Sequence, residues 1–187
     1  MRTYDLYFRF IHWVMAICIF MMLATVFLRI TFLNKTNVSA IIIQQSQEMG
    51  IEITETNAIK MAKSIRKPMW EWHIYFGYTL IGAYLLRFIL AFTRKTVFLN
   101  PFKSTLNLKQ KLQAYSYLFF YTVLFFALGT GFLIENGPKS WKEGLEGIHE
   151  FSHYFVLLFI FIHFAGLYLA EKGEQKGIVS QIIIGRD

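Results

Sequence analysis

Four long apolar runs dominate this sequence of 187 residues, and each is almost free of charged side chains. They cover roughly residues 10–33, 70–92, 113–134 and 148–170. Each run is about as long as a helix that crosses a hydrocarbon core of about 30 Å. Backbone N–H and C=O groups in lipid must pair within their own segment, so each run is predicted to be an α-helix. The sequence therefore predicts an all-α membrane protein, a single domain over residues 1–187 built as a four-transmembrane-helix bundle.

The composition excludes several classes of protein. Hydrophobic residues make up 55% of the chain and charged residues only 17%, which is too apolar for an ordinary soluble domain. The net charge of +7 does not indicate nucleic acid binding, because the basic residues form short clusters beside the apolar runs. The single cysteine, Cys18, lies inside an apolar run and cannot supply a disulfide, an iron-sulfur cluster or a CxxCH haem site. Any redox cofactor must therefore be held by nitrogen ligands.

The distribution of the 19 basic residues predicts the orientation in the membrane. Ten lie at the N-terminus, between the second and third runs, or in the C-terminal tail: Arg2, Arg9, Arg94, Lys95, Lys103, Lys109, Lys111, Lys172, Lys176 and Arg186. Seven lie on the opposite side, and Arg29 and Arg87 fall within the runs. Because cytoplasmic loops carry the excess of Lys and Arg, both termini are predicted to be cytoplasmic.

Residues 34–69 then form an external loop between the first two spans. We predict one short surface helix in this loop, capped by Thr56 or Asn57 and ended by Pro68. One face of this helix would carry Ala58, Ala62 and Ile65. Such a helix is expected to lie along the membrane surface or against a partner protein.

The histidines are the most informative residues for function. There are only five, and their positions are His12 in the first run, His73 in the second, and His149, His153 and His163 in the fourth. Because successive spans alternate in direction, His12 belongs near the cytoplasmic face, whereas His73 and His149 belong near the external face. His163 follows His149 by fourteen residues, which places it about 21 Å further in and only about 40° away around the helix axis.

Depth predicts two histidine pairs, His73 with His149 on the outside and His12 with His163 on the inside. Two neutral imidazoles that face each other across a helix bundle are what a six-coordinate haem iron needs. Gly77 lies four residues after His73 and would leave space for a flat macrocycle on the same face. We therefore predict two b-type haems, each with two histidine ligands.

Arg87 and His153 complete the set of unusual polar residues. Arg87 follows His73 by fourteen residues and so lies at the inner depth, where it would pair with haem propionates, line a quinone pocket, or simply snorkel to the interface. His153 has no partner in this scheme. It is expected not to be a ligand, and either to lie at the interface or to serve a quinone or an external haem edge.

Other interpretations of these polar residues remain open. Each histidine taken alone is more simply an interfacial anchor or an interhelical hydrogen-bond partner. A non-redox transporter or assembly factor would use His and Arg to line a polar path. A zinc-like site at the outer ends, with Glu71 and Glu150, would leave His12 and His163 unexplained.

Several motifs, distributed over nearly the whole chain, make it resemble the bacterial cytochrome b561 family of di-haem, four-helix cytochromes, which is related to the b-type subunits of nickel-iron hydrogenases. The motifs are Ile11–Trp13 (IHW), His73 to Gly77 with Arg87 beyond, His149 with Glu150, His163, and the tail Gly177–Gly185. The resemblance implies a protein of the bacterial inner membrane. It also implies that His12, His73, His149 and His163 are axial haem ligands, and that a quinone exchanges electrons with one haem.

The expected function is electron transfer between an external donor, or a partner oxidoreductase, and the membrane quinone pool. Whether the protein is itself an enzyme depends on the donor, since a subunit would only relay electrons. The alternative is a stand-alone superoxide:quinone oxidoreductase. The loop over residues 34–69 is longer than in compact family members that oxidise superoxide, which favours a docked protein partner and the relay.

Overall fold

In a computed structural model, the structure describes residues 6–93, 100–173 and 176–185. These residues form six α-helices and a 3-10 turn at Lys139–Trp141. The α-helices are α1 (Leu6–Ile30), α2 (Lys35–Glu48), α3 (Glu55–Thr93), α4 (Leu108–Asn136), α5 (Lys142–Lys172) and α6 (Ile178–Ile183). The helices α1, α3, α4 and α5 are long and apolar enough to cross a membrane. The predicted all-α architecture with four membrane-spanning helices is therefore confirmed.

The chain divides into two compact units. The first comprises Met1–Met15 and Ile81–Asp187, and the second comprises Ala16–Leu80. The helices α1 and α3 therefore contribute to both units. Of the basic residues on which the predicted orientation depends, Arg2, Arg94, Lys95 and Arg186 lie outside the described residues.

Packing of α4 against α5 forms the core of the first unit. The rings of Phe120 and Phe159 stack with their centroids 4.0 Å apart. Leu124, Leu128 and Val156 are buried with them. These α4 residues recur at intervals of four, so they lie on one face of the helix, and that face is the one turned toward α5.

The short helix α6 is tied to the rest of the first unit by polar contacts. The Glu171 carboxylate accepts hydrogen bonds from the backbone N–H groups of Gly177 and Val179, at 2.8 and 3.2 Å. The Trp13 indole N–H donates to the Ile182 carbonyl at 3.3 Å. Gly177 adopts φ +86°, a conformation that favours glycine. Sequence reasoning did not predict this helix.

The segment between the first two spans differs from the prediction of a loop with one short helix. An entire helix, α2, begins after Asn34, whose side chain accepts a hydrogen bond from the Thr36 N–H at 2.9 Å. It ends before Gly50, which adopts φ +73°. An Asn cap and a glycine stop are the sequence signals of a helix, so α2 was missed although its boundaries were visible.

The predicted start and end of the surface helix were both wrong. The helix begins earlier, at Glu55, and the Asn57 N–H donates a hydrogen bond to the Thr54 hydroxyl at 3.4 Å. It does not end at Pro68 but continues through it as part of α3. Proline removes one helical donor, but Ser64 and Pro68 are exposed, so the carbonyl that loses its partner remains open to solvent. Of the three residues predicted to share one face, Ala58 and Ala62 are buried, whereas Ile65 is exposed.

The length of α3 shows that part of it extends beyond the membrane. Its 39 residues correspond to about 58 Å of helix, roughly twice the thickness of a hydrocarbon core. The charged residues of α3 are concentrated in its first turns, before the apolar stretch that follows Pro68. The N-terminal part of α3 therefore protrudes from the bilayer.

Candidate functional site

The predicted inner histidines lie close together in the first unit. The helix α1 supplies His12 and α5 supplies His163, and their ring centroids are 6.3 Å apart with an interplanar angle of 43°. Both side chains are half-buried. Bonds from a metal to imidazole nitrogen are about 2 Å long, so two facing rings that share one metal have centroids roughly 6 Å apart. The observed separation of 6.3 Å matches that distance.

Aromatic side chains surround this pair. Phe159 stacks on His163 with centroids 5.6 Å apart, and Tyr117 meets the same ring edge-on at 6.5 Å. Trp13 meets His12 edge-on at 5.7 Å. The side chains beside both imidazoles are thus aromatic rings, which suit the burial of a planar macrocycle.

Arg87 is held by groups of the first unit. Its Nε donates to the Tyr121 hydroxyl at 3.2 Å, and one Nη donates to the Phe8 carbonyl at 3.4 Å. The guanidinium carbon also lies 3.5 Å from the centroid of the Phe8 ring. A guanidinium has five N–H donors, so these contacts fix the orientation of Arg87 and still leave it the capacity to pair with a carboxylate.

The outer histidine of α5 is oriented by α4. The Nδ1 atom of His149 lies 3.0 Å from the Ala127 carbonyl and 3.1 Å from the Thr130 hydroxyl. A carbonyl can only accept, so Nδ1 carries the proton and donates it to Ala127. This tautomer places the ring lone pair on Nε2, which is the form that ligates a metal.

Gly131 of α4 lies against the His149 ring. A Cβ atom added at Gly131 would come within 2.9 Å of the His149 Cε1 atom, which is closer than real Cβ atoms approach. By contrast, a Cβ atom at Gly129, two residues earlier on α4, would meet nothing within 4 Å among the described residues. The position of His149 therefore depends on the absence of a side chain at Gly131.

The outer histidine of α3 belongs to the second unit. His73 is 7% exposed, and its Nδ1 lies 2.7 Å from the hydroxyl of Thr25 on α1. The Trp70 indole stacks on the His73 ring, with centroids 4.6 Å apart and planes 2° from parallel. The Arg29 guanidinium lies 5.2 Å from the centroid of the Trp70 ring. Contacts at both an edge and a face thus hold the imidazole in one orientation.

Two further predictions concern the outer site. The pairing of His73 with His149 joins residues of different units, and it stays a prediction. A Cβ atom at Gly77 would meet only the Met22 methyl group, at 3.8 Å, among the described residues. The proposed role of Gly77 in accommodating a macrocycle also stays a prediction.

The contacts that the structure shows for His153 are with residues of its own helix, α5. Its Nδ1 contacts the Glu150 carbonyl on its own helix, and its ring lies 3.9 Å from that of Tyr154. Within the described parts of the chain, no group of three or more His, Cys, Asp or Glu side chains is placed to hold a metal ion. The two histidines whose rings the structure brings together are His12 and His163.

Sequence reasoning missed the groups that orient the outer histidines. Thr25, Ala127, Thr130 and Gly131 were given no role toward a histidine. Thr25 and Thr130 are polar residues within apolar runs, which is a weak signal. Only the folded structure shows that their hydroxyl groups face histidine.

A comparison with protein families identifies the chain. The family model described as prokaryotic cytochrome b561 matches residues 3–185, nearly the entire chain. No curated protein matches the chain, and no solved structure matches it either. The chain therefore belongs to the prokaryotic cytochrome b561 family, as a multi-pass bacterial membrane protein that binds b-type haem and transfers electrons.

Proposed function

We propose that this cytochrome holds two b haems, each between two histidines, and passes electrons between an external donor and membrane quinone. His12 and His163 would bind the inner haem, and His73 and His149 the outer one. The observation that carries the proposal is the 6.3 Å separation of the His12 and His163 rings. Haem supplies one-electron chemistry at its iron, and the protein supplies the ligands, the burial and the nearby charges that set the potential.

The two haem sites would serve the two sides of the membrane. His149 and His163 both lie on α5 and differ in depth by about 21 Å, which is most of a hydrocarbon core of about 30 Å. An electron that enters at the outer level thus needs only one further transfer to reach the inner level. His149 and His163 lie on the same helix, so the transfer would require no large movement of the chain.

Arg87 supplies positive charge near the inner site. Tyr121 and Phe8 already fix its guanidinium, so the cost of an arginine within a span is partly offset by protein contacts. Its remaining donors suit the carboxylate of a haem propionate or the carbonyl of a quinone. A fixed positive charge there also stabilises the reduced state of the inner haem, since reduction adds negative charge.

The segment outside the membrane favours a relay to a partner oxidoreductase. Its small residues Ser39, Ser46, Ala58 and Ala62 are buried. Five of its large apolar residues are exposed, namely Ile41, Met49, Ile51, Met61 and Ile65. Exposed apolar side chains concentrated on one segment are typical of a surface that a partner protein covers. We therefore propose that α2 and the protruding part of α3 dock the donor subunit.

The proposal of two haems is tested by the visible spectrum and the haem content of the purified protein. We expect low-spin b-type bands that sharpen on reduction with dithionite, and about two haems per chain. The haem content is measured against protein by the pyridine haemochrome method. A content of one haem per chain, or high-spin bands from a five-coordinate iron, would contradict the proposed ligand pairs.

The relay is tested by supplying superoxide and a quinone analogue to the purified chain without any other protein. We expect little haem reduction, because the proposed donor enters through a docked subunit. Dithionite reduction of the same sample serves as the control that both haems are intact. Rapid haem reduction by superoxide would instead establish a stand-alone superoxide:quinone oxidoreductase and overturn the relay.

A further inference from the structure

We infer that Thr25 is a positioning residue for the outer haem, because its hydroxyl holds the proton of His73 on Nδ1 and thereby tunes the potential of the iron. The inference rests on the proposed function, in which His73 is an axial ligand. Thr25 itself would touch neither the iron nor the macrocycle. Its effect would pass entirely through the His73 ring.

The direction of the hydrogen bond follows from the two partners of Thr25. The hydroxyl oxygen lies 2.7 Å from the Met22 carbonyl and 2.7 Å from the His73 Nδ1 atom. A hydroxyl has one hydrogen, and the carbonyl can only accept, so this hydrogen goes to Met22. At His73 the hydroxyl oxygen must therefore accept, and the imidazole must donate from Nδ1. His73 then carries its lone pair on Nε2.

Burial makes this hydrogen bond consequential. Thr25 is 4% exposed and His73 is 7% exposed, so water does not compete for the Nδ1 proton. A hydrogen bond is stronger in such surroundings than in water. An accepting group at Nδ1 increases electron density on the ring, and a more basic imidazole favours ferric over ferrous iron. Thr25 should accordingly keep the potential of the outer haem low.

His149 provides an internal contrast. Its Nδ1 faces two acceptors, the Ala127 carbonyl and the Thr130 hydroxyl. Loss of the Thr130 hydroxyl would leave the backbone carbonyl in place. At His73, the group that faces Nδ1 is the Thr25 hydroxyl, and a point substitution removes it. Thr130→Val should therefore change the potentials little.

The experiment is a redox titration of the purified holoprotein, followed by the haem absorption bands. Thr25→Val keeps the side-chain shape and removes the hydroxyl, whereas Thr25→Ser keeps the hydroxyl. We expect Thr25→Val to raise one midpoint potential by about 59 mV, which corresponds to a tenfold change in relative affinity for a one-electron couple. The second potential should not change, and Thr25→Ser should restore the first.

Thr79→Val is the matched control. Thr79 is exposed on α3, and its hydroxyl donates to the Tyr75 carbonyl at 2.9 Å in the manner of Thr25 toward Met22, with no contact to a histidine. This variant should leave both potentials unchanged. Equal shifts in Thr25→Val and Thr79→Val would contradict the inference, because the effect would then come from helix distortion.

His73→Ala separates failure of the inference from failure of the proposed function. If His73→Ala retains both haems, the proposed ligand set is wrong. If His73→Ala loses one haem but Thr25→Val leaves both potentials unchanged, only the inference about Thr25 is wrong. Loss of that haem in Thr25→Val with its retention in Thr25→Ser would support the inference, since the two variants differ in the hydroxyl. Loss in both would contradict it.

Discussion

Replacing His163 with alanine should reduce the haem content of the purified protein from about two per chain to about one. The chain has no CxxCH site, so a haem is held only by its axial ligands and by packing. Removing one of the two proposed ligands would leave the inner haem with a single histidine, beside a cavity where the other imidazole stood. The cost of such a cavity alone is about 2–5 kcal/mol, judged from large-to-small substitutions in protein cores. The remaining haem should keep its low-spin spectrum.

The substitution His73→Ala should remove the other haem, and the same measurement of haem content tests this. The two variants should therefore differ in which bands survive, and the double variant should contain no haem. His153→Ala is the matched control on α5, because the contacts shown for His153 are with Glu150 and Tyr154 of its own helix. It should retain both haems. Loss of a haem from His153→Ala, or its retention in His163→Ala, would show that the ligands have been misassigned.

The four spans and the inner histidine pair could be predicted from the sequence. The signals are the lengths of the apolar runs and the regular rise of a helix. A run of about 20 apolar residues has only one common solution in lipid, the helix. The depth of His12 and His163 follows from helix rise and alternating direction. The structure then brings their rings to 6.3 Å. Helical geometry alone was enough to predict which two residues meet.

The segment between the first two spans was predicted less well, for a physical reason. Outside the membrane, water can satisfy the backbone, so neither helix nor loop is imposed by the surroundings. Proline lacks an N–H donor, so the sequence predicts that the helix ends at Pro68, yet the exposed helix continues through it at a local cost of about 3 kcal/mol or more. Water at the exposed Ser64 carbonyl offsets part of this cost.

The groups around the outer histidines show a second limit of sequence reasoning. Threonine is common in membrane helices, where its hydroxyl usually bonds to a carbonyl three or four residues earlier. Thr25 does so, and it also faces His73. Nothing in the sequence distinguishes this threonine from Thr79, which bonds in the same way without facing a histidine. The difference lies in which helix face each hydroxyl occupies.

Substituting Gly131 with alanine should disrupt the outer haem site, although the change adds only one methyl group. The new Cβ would lie 2.9 Å from the His149 Cε1 atom, so the ring must move away from α4. Such movement would break the hydrogen bond from Nδ1 to the Ala127 carbonyl, which now measures 3.0 Å. Overpacking of this kind typically costs about 1–3 kcal/mol. We expect reduced occupancy of one haem and a lower thermal midpoint, with the inner haem unaffected.

Gly129→Ala supplies the matched control two residues earlier on α4. A Cβ atom there meets nothing within 4 Å among the described residues. Alanine also favours the helix over glycine by about 0.5–1 kcal/mol, so this variant should be as stable as the wild type or slightly more stable. Haem content and thermal unfolding of the two variants are then compared directly. If Gly131→Ala keeps full haem content and the wild-type potentials, His149 has room to move and its contact with α4 does not determine ligation.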